Sequence, residues 1–176
     1  AGKHVVLASP PTSSVAELDE LARVAEEAGV LLLCALHPLH VPARLKLDEL
    51  LRRQELPPPV LTTTLLVLPA EEPTADLLGA AYEAIVGVQH VLQPAEAVVG
   101  VVAQETALAA LLRLPGEVPA QLSLRRAAEG ELPWGEQRLF TAEGMILLRD
   151  NPEDETPLII AHGGEFFPAR VKTPPD

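Results

Sequence analysis

Cys34, His37 and His40 stand three residues apart from one another, and thiolate sulfur with imidazole nitrogen is the ligand chemistry of zinc. No fourth ligand lies nearby, Pro38 restrains the loop, and Cys34 falls in an apolar run that reads as a buried strand. Ordinary core and loop roles are the simpler reading, and no metal site is assigned. Neutral imidazole both donates and accepts hydrogen bonds, so His37 and His40 are better taken as contacts for a polar small molecule. His162-Gly163-Gly164 has the form of an oxyanion loop, but no G-x-S-x-G nucleophile elbow accompanies it. A glycine-pair turn between strands explains it. Ser13 and Ser14 fit helix capping, Tyr82 and Glu83 fit the half-exposed face of a long helix, and His4 and His90 have no evident partners. Nothing matches G-x-G-x-x-G, the loop that brings a pyrophosphate against a helix amino end.

Positioning such groups takes a core, and 176 residues that are 48% hydrophobic and 22% charged can build one. The 18 prolines require many elements to end sharply. Acidic residues outnumber basic ones 25 to 13, giving a formal charge of -12 that repels phosphate backbones and anionic membrane surfaces. Nucleic acid and membrane are therefore not expected partners. The acids are spread over helix faces and turns and read as solvated surface. Aromatic residues are only 3%, too few for a stacking platform. The single cysteine excludes an internal disulfide and fits a reducing compartment, so the cytoplasm is the expected location.

Residues 3–7 read as a short strand stopped by Pro10 and Pro11. Ser14 and Glu17 form a capping-box pattern, Leu18, Leu21, Ala22, Ala25 and Ala28 trace one apolar face, and Gly29 is the helix stop. The unbroken apolar run over 30–35 is expected of a parallel strand buried on both faces. Pro42 opens a second helix through Arg53, residues 60–68 read as a strand, and Thr74 is placed to cap a long helix with Leu78, Ala81, Ile85 and Val88 on one face. Strands are then predicted over 97–103, 107–114, 118–126, 137–141, 145–149, 158–161 and 167–171, separated by turn residues such as Pro115-Gly116, Gly144, Asn151-Pro152 and Gly163-Gly164. Adjacent strands joined by short turns argue for a largely antiparallel sheet backed by the long helix.

The opening Ala1-Gly2-Lys3-His4-Val5, the helix ending Glu26-Glu27-Ala28-Gly29-Val30 and the late stretch Thr141-Ala142-Glu143-Gly144-Met145-Ile146 resemble the glucose-fructose oxidoreductase and inositol dehydrogenase family of oxidoreductases. The resemblance covers nearly the whole chain, its first third being the specific part. It implies an α/β remnant of a Rossmann-type nucleotide domain over residues 1–56, followed over 57–176 by an α+β substrate and oligomerisation domain. It also implies NAD or NADP as cofactor, Ser9 and Pro10 at the cofactor-facing turn, and a cleft bordered by Ser9, His37, His40, Tyr82 and Glu83. The family's catalytic lysine falls on Ser9, and its D-x-G-x-H pattern falls on Leu77, Gly79 and Ala81, so the cation, the acid and the histidine are replaced. Neither leucine nor alanine moves a proton.

Two functions follow. One is a nicotinamide-dependent sugar or polyol dehydrogenase of which this is the carboxyl-terminal part, the glycine loop lying upstream. The other is a noncatalytic relative whose cleft binds a small ligand and whose sheet mediates association. The 176-residue chain alone is not expected to bind NAD(P)(H). Several strands place apolar residues on both sides, as at Val98, Val99, Val101 and Val102 and at Leu108, Leu111 and Leu112, which predicts an apolar second sheet face and a homodimer or higher oligomer through it.

Overall fold

A computed structural model describes residues 2–7, 12, 14–35, 41–70, 77–150 and 154–171. Two compact units result, Ala1–His37 and Pro38–Asp176. In the first, strand β1 (Val5–Leu7) pairs in parallel with β2 (Leu32–Cys34), Val6 opposite Leu33, and helix α1 (Val15–Glu27) connects them. Parallel neighbours need such a crossover. Gly29 and Val30 donate back to Glu26 and Ala25, each at 3.0 Å, which closes α1 as a Schellman turn.

The capping box is only half made. Ser14 Oγ accepts from the Glu17 N–H at 3.4 Å, but Thr12 takes the other role: its hydroxyl accepts from the Ser14 N–H at 3.0 Å and donates to the Glu17 carboxylate. His4 does have a partner, since its Nδ1 accepts from the Leu31 N–H at 3.0 Å. The expectation that residues 30–35 are buried on both faces is corrected: Leu31 and Leu33 are more than half exposed, and no residue of α1 is buried. A parallel strand is hidden only when strands flank it and helices cover it, and the described residues of this unit supply one partner strand and one helix.

The second unit is an eight-stranded sheet in the order β10-β9-β8-β7-β3-β6-β5-β4. Its strands are β3 (Pro59–Leu68), β4 (Ala97–Ala103), β5 (Ala107–Leu114), β6 (Val118–Arg126), β7 (Trp134–Thr141), β8 (Gly144–Asp150), β9 (Leu158–His162) and β10 (Glu165–Pro168). Every pairing is antiparallel except β3 with β6. That exception follows from helix α3 (Leu77–Leu92), which carries the chain from β3 to the far edge so that β4, β5 and β6 meander back. Pro119 in β6 lacks an N–H, and the parallel ladder with β3 begins one residue later, at Thr62 opposite Ala120.

The predicted strands recur with small changes of boundary. The last one moves most, from 167–171 to Glu165–Pro168. Gly163 and Gly164 have φ of 60° and 86°, so they form a two-residue turn that pairs His162 directly with Glu165. Thr74 and the Asn151-Pro152 turn lie outside the described residues.

Helix α2 (Pro42–Arg52), included above in the segment 1–56, packs on the sheet of the second unit. Ala43, Leu47 and Leu50 meet Leu139, Ile146, Leu148 and Leu158. Helix α3 covers the other half of the same face, with Ala81 and Ala84 on Leu108, Ala110, Leu122 and Leu124, and Val88 on Leu112, Leu114 and Ala120. Full burial of each leucine stabilises by about 1.5–3 kcal/mol. Leu108 and Leu112 lie beneath α3 and Leu111 is exposed on the other side, so β5 carries apolar residues on both faces as expected. The period of two along β5 decides this. The valines of β4 are exposed as expected, at an edge strand kinked by a bulge between Val98 and Gly100.

Candidate functional site

The residues nominated from the sequence divide three ways. Ser9, Pro10, His37 and His40 lie outside the described residues. Leu77 and Ala81, at the positions matched to the family's acid and histidine, turn into the apolar cluster on β5 and β6, Ala81 being 6% exposed. Tyr82 is exposed and Glu83 half-buried, on the sides of α3 that the sheet does not cover. Any side chain at position 81 would meet Leu108, Ala110, Leu122 and Leu124, because the stripe at 77, 81, 84 and 88 is the one that packs. Among the described residues no three His, Cys, Asp or Glu side chains converge as a metal site, and no helix is long and apolar enough to cross a membrane.

At the amino end of α1, Ser14 caps the helix and the Glu17 carboxylate lies in the first turn, where it complements the helix dipole.

Among the described residues, buried polar side chains gather in the seam between α2 and α3, over β3 and β7. Arg44 on α2 donates from Nη1 to the Gly87 carbonyl of α3 at 2.8 Å and to Gln137 Oε1 at 2.9 Å. A Cβ at 87 would lie 2.9 Å from that nitrogen, so a larger residue there would oblige the guanidinium to shift. Gln137 is 2% exposed and pairs across the ladder with Thr64, itself buried. Burial pulls the Arg44 guanidinium below its ordinary value, and the Asp150 carboxylate acts in the opposite direction. Arginine stays protonated at neutral pH, and among the described residues Arg44 makes no salt bridge. His90 sits one turn beyond Gly87 with Nε2 buried and unpartnered.

Sequence reasoning passed over this seam. The second helix and the strand over 60–68 were predicted, but Arg44, Thr62 and Thr64 were not singled out on them. The available signal was the Thr62-Thr63-Thr64 run in an otherwise apolar strand, which puts hydroxyls at 62 and 64 on one face.

No protein-family model matches the sequence, and no curated protein matches it. Solved structures do. A 3-ketoreductase from Actinomadura kijaniata, in complex with NADP and TDP-benzene, superposes with a TM-score of 0.78 at 20% identity, over 93% of this chain and 56% of that one. UDP-N-acetylglucosamine 3-dehydrogenase from Acidithiobacillus ferrooxidans gives 0.72 at 18%, over 97% and 57%. A dehydrogenase from Clostridium difficile gives 0.75 at 11%, over 96% and 55%. The chain shares their fold. It spans little more than half the length of these oxidoreductases.

Proposed function

We propose that this chain is the carboxyl-terminal part of an NAD(P)-dependent oxidoreductase of the glucose-fructose oxidoreductase and inositol dehydrogenase family, acting on a sugar or polyol. The observation that carries the reading is the likeness, over more than nine tenths of the chain, to a ketoreductase holding NADP and a dehydrogenase of a nucleotide sugar. In this reading residues 1–56 complete a nucleotide domain whose glycine loop lies ahead of Ala1, and 57–176 form the substrate and oligomerisation domain. The exposed faces of β1, β2 and α1 support it, because they are surfaces that further parallel strands and helices cover.

A second reading is a noncatalytic relative that binds a small ligand. It is favoured by the apolar residues at 77 and 81, which supply neither acid nor base.

The test is a fluorescence titration of NADPH against the natural gene product, with whatever residues it encodes ahead of Ala1, and against residues 1–176 alone. Micromolar binding by the gene product and none by the 176-residue chain is expected. Absence of binding by the gene product would reject the family reading, and binding without turnover of sugars or nucleotide sugars would favour the noncatalytic one.

A further inference from the structure

We draw no further inference here: the strongest candidate, the sheet edge at β4 with its four exposed valines, carries none, because nothing in the structure shows what covers it.

Discussion

A Cβ at Gly144 would lie 2.0 Å from the Ala161 carbonyl oxygen of the next strand. No rotamer change relieves a clash with backbone, so Gly144→Ala is expected to destabilise by about 3 kcal/mol, the upper range for overpacking. Gly163→Ala meets open space but a left-handed φ of 60°, and should lose only about 1–2 kcal/mol. Urea denaturation of the two variants checks the ranking, and equal losses would sink it. Glu131 is a different case. The Arg125 fork at 2.6 and 2.7 Å, helped by the Ala128 N–H and Trp134, holds its carboxyl at about 2, below the ordinary 4.5. A depressed carboxylate contributes stability that is present above its ordinary value and lost as pH falls toward the folded one. Glu131→Gln should therefore weaken the fold at pH 6 and converge with the parent near pH 2. Parallel stability curves through that range would contradict the assignment. At this scale the sequence was legible where backbone geometry dictates the residue, as at Gly163-Gly164. It was not legible at Arg44, whose guanidinium bonds to a backbone carbonyl 43 positions away.

Elements were easier to read than their surroundings. The alternation in β5 and β6 and the stop signals around them set those strands to the residue, because a period of two against a buried face leaves one register. The helix α1 and the strand β2 were also found, yet their expected burial was not, since burial depends on neighbours that one stretch of sequence does not reveal. The same limit applies to β4. Its four exposed valines lie on an edge without charge or proline, and edges of that kind pair with or pack on another chain. Glu136 with Arg138 and Arg149 interrupts the apolar character of the uncovered face farther along, so contact should centre on β4 and β5. We expect the chain to self-associate there. Sedimentation equilibrium at tens of micromolar should show a dimer that Val101→Asp dissociates and a change at Glu20 does not. A monomer throughout that range would reject it.

For the molecule as a whole, the order of strands carries a consequence for how the chain acquires its shape. β4-β5-β6 and β7-β8-β9-β10 are each wired by short local connections, and no hydrogen-bonded ladder joins one group to the other except through β3. That strand comes from earlier in the chain and pairs with partners more than fifty residues downstream on both sides, Thr62 with Ala120 and with Leu139. It is a clasp threaded between two ribbons. Each ribbon can form early from nearby contacts, whereas inserting β3 closes two long loops at once and must wait for both. The closing step should then limit the folding rate, and opening it should mean opening everything. In native-state hydrogen exchange the β3 amides are expected to exchange only with global unfolding, and those of β9 and β10 through smaller openings. Exchange of the β3 amides ahead of those of β9 and β10 would show that the clasp slips while the ribbons stay closed, and would reject this account.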